Sequence, residues 1–224
     1  KRRQSDVSAL LKTSRAVLRN REFNVSARAV FDACKDLVGA TAGYVALLSD
    51  DGKDNLVLFL ESGGQQCKVD PSLRMPIRGL RAQTYLTGKA AIENDFPKCP
   101  YKEFLPGGHV NLKNVLFAPL VVDSKTVGTI GLANKPEGFS DHDAQMAIAF
   151  GEIASMALIN SNMLEMLEEN EKSLKVYSEN LERLVDERTR QLKESERFVA
   201  IGQTAGMVGH DIRNPLQGIL SDVY

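Results

Sequence analysis

Asn114-Val-Leu-Phe-Ala-Pro-Leu-Val-Val122, then Asp123-Ser124-Lys125, then Thr126-Val-Gly-Thr-Ile-Gly-Leu-Ala-Asn134 is the stretch on which the fold turns. Both runs are rich in residues that favour a pleated, half-buried surface. The short polar link between them reads as a turn. Gly128 and Gly131 carry no side chain, which lets another backbone come close. The expectation is an antiparallel hairpin at the centre of a sheet.

Working backwards, Ala90 to Glu93 reads as a brief strand, and Gly79 to Thr87 as a short helix introduced by Met75-Pro76-Ile77. Asn55 to Glu61 and Gly43 to Leu48 are two further strands about the turn Asp50-Asp51-Gly52, and Gly63-Gly64 opens a loop. The segment from Asn94 to Asn111 mixes prolines and glycines with Phe96, Tyr101 and Phe104. A long loop with apolar anchors is the kind that lines a binding site. Upstream, Val7, Leu10, Leu11, Ser14, Val17 and Leu18 recur at helical spacing to about Arg21. Asn24 resembles an N-cap for a second helix, with Val25, Ala29, Val30, Ala33, Cys34, Leu37 and Val38 on its apolar face and Gly39 to stop it.

Downstream, Ser140 and Asp143 have the spacing of a capping box, and a helix starts there. Ala144 to Leu158 carries apolar residues that pack it on its own domain. His142 is expected to be an exposed first-turn residue. This order of helices, strands, loop, hairpin and closing helix makes an α+β domain. Together with Asn114-Val-Leu-Phe-Ala-Pro-Leu-Val-Val, Val127-Gly-Thr-Ile-Gly-Leu-Ala-Asn-Lys and Gly138-Phe-Ser-Asp, it resembles a GAF domain. That resemblance implies a central antiparallel sheet with flanking helices and a small ligand held between the sheet and its loop side.

Which ligand is open. Asn134-Lys135, Phe139 and Asp143 resemble a cyclic-nucleotide signature, from which the chain departs at Ala144; in many GAF domains these residues only tie the hairpin to the closing helix. Pro106-Gly107-Gly108-His109-Val110 resembles the segment that supplies the proximal histidine in haem-binding GAF sensor kinases. That likeness implies His109 as an axial ligand to haem iron, an ordinary role for a neutral imidazole. Phe96, Tyr101, Phe104, Phe117 and Tyr44 would be the apolar lining. Three readings stand together: haem, another small ligand, and a pocket kept only for structure.

Past Asn160 the composition changes. Leu167, Leu174, Leu181, Val185, Leu192 and Val199 keep a seven-residue apolar rhythm with shifts near Asn170, Glu171 and Arg188, and Glu and Lys fill between. A lone helix of this kind would leave its leucines wet, so a parallel coiled-coil dimer is expected. Gly202, Gly206 and Gly209 then precede His210-Asp211-Ile212-Arg213-Asn214-Pro215-Leu216. On a helix His210 and Asn214 are one turn apart, and Pro215 is expected to kink the chain. The constellation resembles the H-box of sensor histidine kinases. The resemblance implies that His210 is the phosphoacceptor, Asp211 its base and Asn214 a residue assisting the reverse hydrolysis. An imidazole attacks a phosphate best with its other nitrogen held by a neighbour such as a carboxylate.

The organisation expected is a linker helix over 1–21, a sensor domain over 22–160, a coiled-coil signalling helix over 161–198, and the start of a dimerisation and phosphoacceptor domain over 199–224. ATP is the phosphoryl donor through an ATP-binding domain not seen in this sequence, so the chain is not expected to act alone as a kinase. A homodimer, the ATP-binding domain of the parent kinase and a response regulator receiver domain are the expected partners. A net charge of −1 and a pI near 6.4 give no basic excess for nucleic acid. Cys34, Cys67 and Cys99 lack metal-type spacing and suit a reducing cytoplasm. No run of eighteen apolar residues marks a membrane span.

Overall fold

The computed structural model describes the backbone of residues 2–17, 19–70 and 72–222, and the side chains of 4–17, 19–70, 72–209 and 212. Within that range the chain forms two units, residues 1–165 and 166–224. The elements are α1 (Arg2–Val17), α2 (Phe23–Val38), β1 (Ala42–Leu48), β2 (Asn55–Glu61), α3 (Leu80–Thr87), β3 (Ala91–Glu93), β4 (Val115–Val122), β5 (Lys125–Ala133) and α4 (Asp141–Asp222). Two 3-10 turns, Phe96–Lys98 and Pro100–Phe104, punctuate the loop before β4.

The five strands form one antiparallel sheet in the order β2-β1-β5-β4-β3. The β4–β5 hairpin therefore lies inside the sheet, as its residues predict. Its turn is shorter than expected: Val122 pairs with Lys125, leaving Asp123 and Ser124 as a two-residue loop. Both have positive φ, 49° and 64°, as a type I′ turn requires to match strand twist.

One face of the sheet carries the main core. Val45, Leu116, Ala118, Leu120, Ile130 and Leu132 point to it and meet Phe31, Cys34 and Val30 of α2 and Ala147, Phe150 and Ala154 of α4. The approach of α4 is close, because a Cβ on Gly151 would sit 2.4 Å from the Pro119 carbonyl oxygen of β4. The buried face of α2 is rotated from the one expected. Phe23, Ser26, Ala27, Val30, Phe31, Cys34 and Val38 are inside, while Val25 is 48% exposed. The helix also begins at Phe23 after Glu22, without a side-chain cap, so Asn24 is a helical residue rather than an N-cap. Gly39 does end it, in the left-handed conformation, its N–H donating to the Lys35 carbonyl.

Helix α1 ends at Val17, earlier than expected, and Leu18 lies outside the described residues. It buries Asp6, Thr13 and Val17, leaving Val7 and Leu11 exposed. Asp6 also corrects the expectation for His142. Its carboxylate lies 3.3 Å from His142 Nε2, so His142 joins α1 to the first turn of α4.

Helix α4 contains a window apolar enough, by length and composition, to cross a membrane, with a mean hydropathy of 1.2 and 39% of its residues buried. Expecting no such segment from uninterrupted apolar runs overlooked it, because the window averages over its polar residues. Ala147, Phe150, Ala154 and Ala157 of this helix are core residues of the sensor domain, which accounts for much of its apolar character. In the second unit α4 remains helical through Gly202, Gly206, Gly209 and Pro215 as far as Asp222. Proline lacks the N–H of one turn's hydrogen bond, and here that loss does not end the helix.

Candidate functional site

The other face of the sheet belongs to α3, the 3-10 turns and the loop 105–114. Alternation along β1 and β5 sends Tyr44 and Ala46, and Thr129, Gly131 and Ala133, to this side, opposite Val45, Ile130 and Leu132. Tyr44 pairs in register with Gly131, and a Cβ built on Gly131 would lie 2.5 Å from the Tyr44 ring. The phenol ring therefore lies over a position that only glycine leaves open.

Tyr44, Phe96, Cys99, Val115 and Phe117 form a second apolar cluster with Ala42, Ala46 and Ala133. Tyr44 and Phe117 have ring centroids 6.3 Å apart. Tyr101 and Phe104 stack at 6.1 Å, nearer the surface, and the Arg78 guanidinium sits 4.9 Å from the Phe104 ring. The expected aromatic lining is thus brought to one face, but Tyr44, Phe96 and Phe117 are buried against their neighbours. His109 lies in the same loop, and its Nδ1 is 2.9 Å from the Val110 carbonyl oxygen. A carbonyl only accepts, so Nδ1 carries the proton, and in the neutral ring Nε2 is the basic nitrogen. Among the described residues no group of three or more His, Cys, Asp and Glu could hold a metal ion.

The loop is pinned by asparagine amides. Asn94 donates Nδ2 to the Phe139 carbonyl and accepts the Phe139 N–H, at 2.9 and 2.7 Å. Asn114 makes the same exchange with Lys135, at 2.8 and 2.9 Å. Asn134 accepts from the Lys113 N–H and donates to the Asn111 carbonyl. Lys135 pairs with Asp143, which also accepts from the Ser140 N–H and hydroxyl at 2.8 Å each. Asn134, Lys135, Phe139 and Asp143 are thereby engaged in joining hairpin, loop and α4, the structural alternative to the nucleotide signature.

A polar group beneath α3 escaped the sequence reading. Arg81, Thr84 and Tyr85 fall at i, i+3 and i+4, one helical face, and α3 packs over β3, β4 and β5. Thr84 is fully buried, as is Thr129 of β5. The Tyr85 hydroxyl donates to Asn55 Oδ1 at 2.6 Å, and Arg81 Nη2 donates to the Pro76 carbonyl at 3.2 Å. Burial pushes the Tyr85 phenol well above its usual value; Thr129 opposes this, Tyr44 adds to it and Arg81 opposes it. The only signal in the sequence was a short helix whose periodic face is polar.

The side chains of His210, Asp211 and Asn214, and of Pro215, lie outside the described residues. Their backbone belongs to α4.

A family model described as a GAF domain matches residues 21–159. Residues 122 to 287 of a methyl-accepting chemotaxis protein share the fold at 15% identity and a TM-score of 0.57, over 68% of this chain and 98% of that one. So does free methionine-R-sulfoxide reductase from Neisseria meningitidis, solved in complex with its substrate, at 14% identity, TM-score 0.58 and 71% and 91% coverage. The GAF domain of an Acinetobacter phosphoenolpyruvate-protein phosphotransferase matches at 14% identity, TM-score 0.59 and 70% and 94% coverage. No curated protein matches the chain.

Proposed function

The chain belongs to the GAF domain family, and from that premise we propose that it is the sensory and phosphoacceptor part of a two-component histidine kinase. The observation that carries the proposal is His210-Asp211-Ile212-Arg213-Asn214-Pro215, on the same helix that closes the GAF domain. A histidine, an adjacent carboxylate and an amide one turn on are the groups a phosphoacceptor needs. In the reaction an imidazole nitrogen of His210 forms a bond to the γ-phosphorus of ATP. The bond to the bridging oxygen breaks and ADP leaves. Asp211 takes the imidazole proton, and Asn214 assists the reverse hydrolysis.

ATP comes from a separate ATP-binding domain, and the phosphoryl group passes on to an aspartate of a receiver domain. The seven-residue apolar rhythm from Leu167 supports a parallel homodimer, which the reading places in the cytoplasm. Ligand state in the GAF domain acts on His210 through the coiled coil.

The test is phosphorylation. Mixed with the ATP-binding domain of its parent kinase and radiolabelled ATP, the chain takes up an acid-labile, base-stable label. His210→Gln takes up none. Equal labelling of both proteins would overturn the assignment.

The sensed ligand is small. Haem fits poorly: His109 has a suitable tautomer, but Tyr44, Phe96 and Phe117, which would flank a porphyrin, are packed on one another and on the sheet. An absorption spectrum after adding haem checks this. No Soret band is expected, and a band lost in His109→Ala would reverse the conclusion.

A further inference from the structure

Asn94 and Asn114 stand at the two ends of the loop before β4, one directly after β3 and the other directly before β4. Each exchanges two hydrogen bonds with one residue of another segment. Asn94 accepts the Phe139 N–H and donates to the Phe139 carbonyl, at 2.7 and 2.9 Å. Asn114 accepts the Lys135 N–H and donates to the Lys135 carbonyl, at 2.9 and 2.8 Å. Lys135 and Phe139 are the two ends of the short link that leads from β5 to the Ser140 cap of α4. Both ends of the loop therefore hold both ends of the link. An asparagine amide offers the same donor and acceptor as a peptide group, so each exchange is a one-residue strand pairing made by a side chain.

Further contacts stiffen this clasp. The stems of the loop are tied to each other, since the Phe96 N–H donates to the Lys113 carbonyl at 3.0 Å. Asn134, just before the link, and Gly138 within it are left-handed, with φ of 60° and 78°. A Cβ on Gly138 would lie 2.9 Å from Asn94 Oδ1, so the close fit of Asn94 needs glycine there. Lys135, whose backbone Asn114 holds, also reaches forward to Asp143 in the first turn of α4. The middle of the loop is held more lightly. Lys102, Glu103, Pro106, Gly107 and Gly108 are exposed, and the Tyr101–Phe104 stack is half-buried. Segments with few buried contacts are the first to move.

We propose that the clasp makes the loop 94–114 a lever on α4: a displacement of the loop's exposed middle passes through Asn94 and Asn114 to the link 135–139, and from there to the first turn of the helix. A connection of short, paired hydrogen bonds transmits a shift that a single flexible contact would absorb. Asn94 and Asn114 are thus positioning residues. The helix they position continues unbroken to Asp222, and the use of the lever in signalling rests on the reading of that helix as the carrier of the phosphoacceptor.

The test is amide hydrogen exchange of the full chain, read over residues 141–150 by mass spectrometry. Tyr101→Ala removes one ring of the half-buried stack and disturbs the loop away from its stems. In the otherwise unchanged chain it speeds exchange at the start of α4 by roughly fivefold. With Asn94→Ala and Asn114→Ala also in place, Tyr101→Ala adds nothing further there. Gln65→Ala is the comparison. It removes an amide exchange with Asn111 of the same loop, at 3.5 and 3.0 Å, that does not touch the link. In its presence the effect of Tyr101→Ala remains. No change at α4 on Tyr101→Ala overturns the proposal, as does an effect of equal size without the two asparagines. Should the double alanine variant not fold, Asn94→Asp with Asn114→Asp takes its place: the acceptors stay, the donors go, and the same loss of coupling is expected. Labelling of His210 in the same preparations separates the two readings. Labelling of the wild type without coupling at α4 sinks the lever alone, and coupling without labelling sinks only the phosphoacceptor.

Discussion

The Lys135 ammonium lies 2.5 Å from the Asp143 carboxylate, with 14% and 3% of the two side chains exposed. The pair joins the end of β5 to the first turn of α4, where the helix N-terminus also favours a negative charge. Burial by itself would raise the Asp143 carboxyl, but Lys135 and the Ser140 N–H and hydroxyl together hold it below the usual carboxylate range.

A carboxyl whose pKa is lower folded than unfolded contributes stability above its unfolded value, near 3.9, and loses it as pH falls through the folded value. Urea unfolding followed against pH therefore shows an acid limb below about pH 4, which Asp143→Asn makes shallower. At neutral pH Lys135→Met leaves the buried carboxylate without its cation and costs about 3 kcal/mol. A Lys135→Met protein as stable as wild type would mean that Ser140 alone suffices.

Gly151 and Gly202 are both helical glycines of α4, and alanine has opposite effects at them. Glycine to alanine in an exposed helix gains up to about 1 kcal/mol. Gly202 has nothing within 4 Å of an added Cβ, so Gly202→Ala raises the helicity of the second unit, read by circular dichroism. At Gly151 the added carbon meets the Pro119 carbonyl oxygen at 2.4 Å, backbone against backbone. Gly151→Ala is expected to cost about 2 kcal/mol in denaturant unfolding.

The thiols should react in an order set by exposure. Cys67 is exposed, whereas Cys34 and Cys99 are buried. Burial, with Asp143 adding to it, pushes the Cys34 thiol far above its ordinary value, and only the thiolate is a nucleophile. Under native conditions iodoacetamide labels Cys67 first, and Cys34 reacts only once the domain unfolds. Peptide mass mapping over time reads the order.

Leu167, Leu174 and Leu181 are 63%, 69% and 61% exposed on the single chain. Helix pairing is the means by which a seven-residue leucine repeat leaves water. Sedimentation equilibrium is expected to give a dimer, and Leu174→Asp with Leu181→Asp to shift it to monomer. The spectrum of the GAF unit stays unchanged in that variant, since these residues belong to the other unit.

Much of the fold was legible along the chain. Strands β1 and β2, the hairpin, Gly39 as a helix stop and the Ser140–Asp143 capping box were all readable because each is decided by neighbours within a few residues. The buried faces of α1 and α2 were read less well. Val7, Leu11 and Val25 have the right spacing for a core face, but Phe23, Ala27 and Phe31 occupy it in α2, and Asp6 and Thr13 are inside in α1. Several faces of such helices are apolar enough, and the sheet and α4 select one.

Tyr44, Phe96 and Phe117, expected as pocket lining from a family resemblance, are buried together in one apolar cluster, while the polar groups beneath α3 gave no such signal. The sequence by itself determined the antiparallel hairpin, the closing helix and the His210 motif, since propensity, periodicity and motif spacing are local properties. Only the tertiary structure decided that Tyr44 lies over Gly131, and that Thr84 of α3 and Thr129 of β5 are both fully buried. Tyr44 and Gly131 are 87 positions apart, and strand register, together with the packing of one short helix over the sheet, is what brings such distant residues to one face.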